Sequence, residues 1–493
     1  MNLHDLWAIA AARDAVRLAL DFRGEPGGRW TYGELFAAAE RVAEELRRRG
    51  LEPGDRVALQ VGNRPEMVVL FLAVLRLGAV ALPVNTGYRA RELAHVARDA
   101  EPRLVVGEAE RRDVVEEALA EAGDGPQVAL AEELAALGRP GGDAAAPGPS
   151  APRPGGSDLA MLLYTSGTTG HSKGAMLTHH NLLATVTALL AAWGWRREDV
   201  LLLALPLFHM HGLIVGLATA LAAGATVRLH PRFDAGRVVA ELAEDGPGAP
   251  TVFFGVPTMY VRLVDALAGR PADARRLARL RLFASGSAPL AAETFAAFRA
   301  LTGHEPLERY GMTETGMNLS NLYAGPRRPG SVGVPLPGVS ARIVGRDGRE
   351  VPDGEDGELL VAGSNVFAGY WRDPEKTAAS FVADEAGRRW FRTGDLARRD
   401  PASGAFTLLG RRHELILVGG YNVYPREVEE VLAGHPAVRE AAVAGVADRD
   451  RGELPAAWVV LDPAAGPPPD ADALRAWAAE RLAAFKLPRS IRF

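Results

Sequence analysis

The sequence contains no cysteine and only three lysines, Lys173, Lys376 and Lys486, against 53 arginines. The first absence excludes disulfides, thiol nucleophiles and cysteine-type zinc sites; it fits a reducing cytosol, so a cytoplasmic location is expected. A block of one charge sign is missing too. The formal net charge is −5 with acids and bases interspersed, which leaves no basic footprint for nucleic acid and no charged tail. The N-terminus, MNLHDLWAIAAARDAVR, carries acids early and lacks the basic stretch and long apolar run of a secretory signal. One stretch, Val200 to Val227, holds no charge at all. Its length would span a bilayer. Pro206, His209, His211 and three glycines interrupt it, so a buried strand, a turn at LPLFHMHG and a buried helix are the better reading, and no membrane contact is expected.

What is present is β–α alternation over 493 residues, enough for more than one domain. Thr31 followed by Glu34 reads as a capping box opening a helix that ends at Gly50. A strand at 56–61, a helix at 64–77 stopped by Gly78 and a strand at 79–85 follow. Strand signals recur at 103–107, 159–164, 200–205, 225–229, 251–254 and 280–285, which predicts an α/β fold with doubly wound, largely parallel sheets. The Pro/Gly/Ala-rich segment 139–157 reads as a surface linker. From about 330 the pattern shifts to short strands with turn signals, a β unit. Beyond Gly410 helices are predicted at 426–434 and 471–485 and strands at 440–446 and 456–461, a compact α/β module.

Lys173 stands in YTSGTTGHSKG, after a strand and shortly before an apolar helical pattern. Against so strong an arginine bias, a lysine here suggests a point charge on a slim stem that a planar guanidinium cannot replace. Backbone N–H groups and hydroxyls of such a loop can face an anion, and the ammonium suits a polyphosphate. The pattern is not a Walker A loop, because Lys173 precedes Gly174 rather than Ser or Thr. The plain alternative is a flexible Gly/Ser turn.

YTSGTTGHSKG resembles the phosphate loop of adenylate-forming enzymes: acyl-CoA synthetases, adenylation domains and luciferases. ASGSAPL (284–290), YGMTET (310–315), RTGDL (392–396) and GRRHELILVGGYNVYPREVEE (410–430) match further family motifs in order, over essentially the whole chain. The resemblance implies a large N-terminal part, residues 1–411, and a small mobile C-terminal α+β domain, residues 412–493. It implies attack of a carboxylate on the α-phosphate of ATP, then displacement of AMP by the thiol of CoA. Thr165, Ser166, Gly167, Thr168, Thr169, Gly170 and Lys173 would hold the β- and γ-phosphates, and Thr313 the α-phosphate. Glu314 would hold Mg²⁺. Asp395 would accept from the ribose hydroxyls with Arg411 assisting. Tyr310, Gly311 and Met312 would flank the adenine opposite Gly286, Ser287 and Ala288. Gly419, Gly420 and Tyr421 would contact CoA.

Two departures from the family stand out. The pivot of the small domain falls at His413, where the family usually has Asp or Lys. Histidine supplies a permissive, solvated side chain there, and its titration near neutral pH would tilt the conformer balance; the alternative is a tolerated polar substitution. The family's adenylation lysine lies beyond the FKLPR-like motif, but the sequence stops at Phe493, and Lys486 matches the earlier lysine of that motif. The expectation is that a final segment is missing, and that the chain as given binds nucleotide but adenylates slowly.

The acid pocket falls among LPLFHMHGL (205–213), GVPTMYVRL (255–263), ASGSAPL and ERYGMTETGMNLS (308–320). These stretches are similar to malonyl-CoA synthetases, which take malonate and often methylmalonate. His209 and Met210 would shape the wall beside Ser285, and Met312 and Met317 would limit branching at the α-carbon. Arg262 is the expected partner of the distal carboxylate, with Arg281 a second candidate. Alternatively, Arg262 lies on an outer helix face or pairs with Asp265 or Glu308. The competing functions are a medium-chain or aryl acyl-CoA ligase, an enzyme loading a carrier protein, and a catalytically silent nucleotide sensor.

Overall fold

The computed structural model describes residues 2–25, 27–122, 126–137, 153–165, 172–418, 421–448 and 451–493. Three sheets organise them. The first has seven strands. Its centre is parallel: Arg56–Gln60 lies between Val80–Pro83 and Leu104–Gly107, with Leu159–Thr165 next to Val80–Pro83. The helix Pro65–Leu77 crosses over between two of these strands. Pro65 fits the first turn, where no N–H partner is needed, and Gly78 ends the helix at φ 80°. Nearly every residue of that helix is buried, because other elements cover it on all sides. The capping box of Tyr32–Arg48 forms as expected: Thr31 N donates to Glu34 Oε2 at 2.8 Å and Glu34 N to Thr31 Oγ1 at 3.2 Å.

The second sheet has fourteen strands. A parallel core of Thr226–Leu229, Val200–Leu203, Val252–Gly255, Leu282–Ser285 and Leu307–Met312 passes into antiparallel strands from Gly316–Ser320 to Phe406–Arg411. These later strands are the β unit that the turn signals announced. The third sheet has five strands between Ile416 and Arg492, backed by the helices Pro425–Ala433 and Ala471–Ala479, with its own core around Val428, Val443 and Leu474.

Two local expectations change. The uncharged stretch forms the strand Val200–Leu203, then a wide π-helix, His211–Ala218, running into the α-helix Thr219–Ala223. Gly212 permits it: a methyl group there would fall 2.3 Å from the Pro206 carbonyl oxygen. Among the described residues no helix is long and apolar enough to cross a membrane. The glycine-rich loop leads into a strand rather than a helix. Lys173–Thr178 runs antiparallel to Leu159–Thr165, with Thr165 opposite Lys173. The helix His179–Ala192 starts only where Thr178 caps it.

Candidate functional site

The parallel strands of the second sheet end at one edge, and the turns leaving them line a cavity of roughly 1060 Å³. Such edges are where open α/β sheets bind ligands. The hairpin joining Leu307–Met312 to Gly316–Ser320 brings Gly311, Met312, Thr313, Glu314 and Met317 to its wall. Thr165 and Lys173 face it from the first sheet, and His209, Met210 and His211 from the start of the π-helix. Glu314 is buried, and burial pushes its carboxyl pKa up. Tyr370 donates its hydroxyl to Glu314 Oε1 at 3.1 Å. Lys173 Nζ lies 3.4 Å from Asp373 Oδ2.

A second cavity, of about 1050 Å³, adjoins the first; both are lined by Ser287, Arg309, Gly311, Arg411 and His413. Ala288, Tyr310 and Asp395 line this side. Register sets Asp395 opposite Arg411, and their side chains meet, Arg411 Nε lying 3.0 Å from Asp395 Oδ1. Tyr310 donates its hydroxyl to Asp395 Oδ2 at 2.5 Å. Burial raises the pKa of both the Tyr310 phenol and the Asp395 carboxyl, with Arg411 opposing the rise at Asp395. His413 is exposed in the turn between Phe406–Arg411 and Ile416–Val418, where the second sheet hands over to the third. Tyr421 is exposed and stacks on Phe485 with ring centroids 4.8 Å apart. Ser166, Gly167, Thr168, Thr169, Gly170, Gly419 and Gly420 lie outside the described residues.

The two arginines expected to meet the acid are elsewhere. Arg262 is exposed, because the helix Pro257–Ala268 turns Tyr260, Leu263 and Leu267 inward and leaves residue 262 on its solvent face. Arg281 precedes the strand Leu282–Ser285, but its guanidinium closes on Asp199, Nη2 to Oδ2 at 2.5 Å, and donates to the Trp193 carbonyl.

A buried cation that does line the cavity is Arg309, which spacing alone did not single out. It is 5% exposed, and its Nε and Nη2 have no hydrogen-bond partner. Burial lowers its pKa to about 9, so it remains a cation at neutral pH. It lies against Gly286, where a methyl group would stand 2.5 Å from its Cζ. Close by are His211, Ser285 and Ser287. His211 is held neutral by burial with Arg309 beside it, its Nε2 has no partner, and its Nδ1 lies 3.2 Å from Ser287 Oγ. The Ser285 hydroxyl is buried and unpartnered as well. Ser287 adopts φ 70°, a strained position for a non-glycine residue. No sequence signal singles Arg309 out; its burial shows only in the folded strand, whose first four positions are all buried.

The AMP-binding enzyme family matches residues 7–371, and the AMP-binding enzyme C-terminal domain matches residues 427–493. The chain is 37% identical to a feruloyl-CoA synthase of Amycolatopsis sp over 490 residues, 99% of this chain and 94% of the relative. It is 35% identical to the mitochondrial malonate–CoA ligase ACSF3 of Homo sapiens over 500 residues, 94% of this chain and 84% of the relative. ATP-bound MatB from Rhodopseudomonas palustris superposes with a TM-score of 0.89 at 41% identity, covering 100% of this chain and 95% of that one. With matches over nearly its whole length, and with the family's motifs gathered around one pair of joined cavities, the chain belongs to the AMP-binding, adenylate-forming enzymes and is an acid–thiol ligase of that family.

Proposed function

We propose that this enzyme converts malonate, and methylmalonate as an α-branched variant, to the CoA thioester, with ATP cleaved to AMP and pyrophosphate. The observation that carries the choice of acid is the buried Arg309 guanidinium, whose Nε and Nη2 have no hydrogen-bond partner. A buried cation without a counter-charge is costly, and an acid with a second anionic group would supply one. His211 Nε2 and the hydroxyls of Ser285 and Ser287 are further polar atoms for the same carboxylate. His209, Met210, Met312 and Met317 would then bound the short chain between the two carboxylates.

In this reading the reacting carboxylate of malonate attacks the α-phosphorus of ATP, forming an acyl-adenylate and releasing pyrophosphate. The CoA thiol then attacks the acyl carbon and AMP leaves. Thr165 and Lys173 bind the outer phosphates, and Thr313 the inner one. Tyr310 flanks the adenine opposite Gly286, Ser287 and Ala288. Asp395, tied to Tyr310 and Arg411, accepts from the ribose. The small domain, residues 412–493, turns about His413 between the two steps and brings the segment around Tyr421 to CoA.

Mg²⁺ is implied by the family chemistry. Among the described residues no group of three or more His, Asp or Glu could hold a metal. Of the carboxylates at the cavity wall, Glu358 is taken by Arg392 and Arg412, whereas Glu314 is buried beside Thr313 with one oxygen accepting from Tyr370. One carboxylate together with substrate phosphates is a usual Mg²⁺ setting, so the residues present fit. When bound, the ion spreads the negative charge of the transferring group.

Pyrophosphate release from wild-type enzyme over a panel of malonate, methylmalonate, sulfoacetate, butyrate and ferulate tests the assignment. Malonate should give the highest kcat/KM. Preference for ferulate or butyrate would replace it with an aryl or medium-chain ligase.

A further inference from the structure

Of the three lysines in a chain with 53 arginines, two line the same cavity. Lys173 follows the phosphate loop, and Lys376 comes from the short helix Pro374–Ala379, which follows the strand Gly369–Tyr370 paired with Lys173–Thr178. One carboxylate ties them together. Asp373 Oδ1 accepts the backbone N–H of Lys376 at 2.9 Å, and Asp373 Oδ2 lies 3.4 Å from the Lys173 ammonium. That pairing holds the Asp373 carboxyl pKa below its ordinary value, after the larger effect of the Lys376 amide. The helix itself is fixed to the site: Thr377 Oγ1 accepts from Tyr370 N at 2.8 Å, and Tyr370 is the residue that donates to Glu314.

The other cations of this cavity have partners or lie deep. Arg392 and Arg412 both close on Glu358, at 2.5 and 2.9 Å. Arg411 is paired with Asp395, and Arg309 is buried in the acid pocket. Among the described residues no carboxylate pairs with the Lys376 ammonium, which is exposed at the rim. An exposed lysine on a short helix ordinarily serves only solubility. Here it faces a polyphosphate cavity in a chain that otherwise avoids lysine, and it sits three residues from the aspartate that holds the other lysine.

We infer that Lys376 is a second ammonium of the polyphosphate subsite, meeting the β- and γ-phosphates of ATP from the rim while Lys173 meets them from the loop. The inference rests on the adenylate reading and adds a residue to it. A triphosphate then meets two ammonium groups carried by neighbouring elements. When the bond between the α-phosphorus and the bridging oxygen breaks, the departing pyrophosphate stays matched by two mobile ammonium groups. Lys376 forms no covalent bond and moves no proton. Asp373 acts through Lys173 and is a positioning residue.

The test is calorimetric binding of ATP, inorganic pyrophosphate and AMP to the full chain as wild type, Lys376→Gln and Lys376→Arg. Loss of one charge-assisted contact should weaken ATP and pyrophosphate roughly ten-fold in Lys376→Gln. AMP, which lacks the outer phosphates, should bind all three forms alike, and Lys376→Arg should recover most of the loss. Equal ATP and pyrophosphate affinities in wild type and Lys376→Gln would overturn the inference while leaving the adenylate reading intact. So would an AMP loss as large as the ATP loss, because it would mark a general structural effect. If wild type bound neither ATP nor pyrophosphate, the adenylate reading itself would fall and take the inference with it.

Discussion

Arg281 grips Asp199 with two nitrogens, Nε to Oδ1 at 2.6 Å and Nη2 to Oδ2 at 2.5 Å, at the start of the strand that leads to the acid pocket. Both side chains are largely buried, at 11% and 3% exposure, and the guanidinium also lies over the Tyr323 ring with 5.4 Å to the centroid. Its partners are therefore satisfied, and it is a structural cation. Removing one member of a buried pair strands the other. Arg281→Met should cost about 3 kcal/mol in urea unfolding, while the surviving enzyme keeps its preference between malonate and butyrate. A selective loss of malonate turnover would restore Arg281 as a reader of the acid.

Arg262 carries the opposite expectation. It is exposed, and the inward face of its helix is made by Tyr260, Leu263 and Leu267. Arg262→Leu should change stability by no more than about 0.5 kcal/mol and leave the malonate-to-butyrate ratio where it was. Steady-state kinetics with both acids checks this.

Asp395 sits between a phenol and a guanidinium. In Asp395→Asn the amide oxygen can accept from only one of them, and the ribose would lose a charged acceptor. AMP affinity should fall roughly ten-fold or more. Tyr310→Phe, which removes a donor and leaves the carboxylate, should cost less. Titration calorimetry with AMP separates the two.

Stability should fall in mild acid, and two histidines give the window. His4 and His179 are buried, and burial lowers both to about 4, with Arg76 adding to the effect at His4. Neither ring nitrogen of His179 has a partner. In the unfolded chain both titrate at 6.5. The unfolded state therefore binds more protons between about pH 6.5 and 4, and stability drops as pH falls through that range. Each histidine should contribute roughly 2 kcal/mol of that loss at pH 5. Glu308 works against them. Burial raises its carboxyl to about 7 despite amides from Leu290 and Gly330, so its protonation favours the fold as pH falls below that value. His179→Leu should flatten the acid side of a stability-versus-pH curve; an unchanged curve would show that His179 is not among the groups that titrate.

The fold was largely legible because its elements carry local signals. Gly78 marks a helix end, Thr31 and Glu34 mark a start, and the parallel strands read as short apolar runs within a residue or two of their ends. The strand Lys173–Thr178 was not legible, since six residues between a glycine loop and an apolar helix look like the helix approaching. The π-helix at His211 was not either, because its width depends on how Gly212 packs under Pro206. In the site, Asp395 and Arg411 stand together, and Tyr310 joins them as a third member that nothing in the sequence announces. Neither Arg262 nor Arg281 turns a free guanidinium into the cavity, for a physical reason. Arg262 and Arg281 stand near the right stretches, but helix phase turns one outward and Asp199 takes the other. Arg309 is visible only once burial and missing partners are known.

The central claim is that Arg309 receives the distal carboxylate of the acid. The most direct measurement is kcat/KM for malonate and for butyrate in wild type and Arg309→Met, with thermal unfolding of both proteins alongside. Methionine fills similar space without the unpaired charge, so Tm should not fall. The account predicts that malonate use drops roughly a hundred-fold or more while butyrate use changes by a small factor, so the preference between them collapses. Equal losses for the two acids in a folded Arg309→Met enzyme would contradict it.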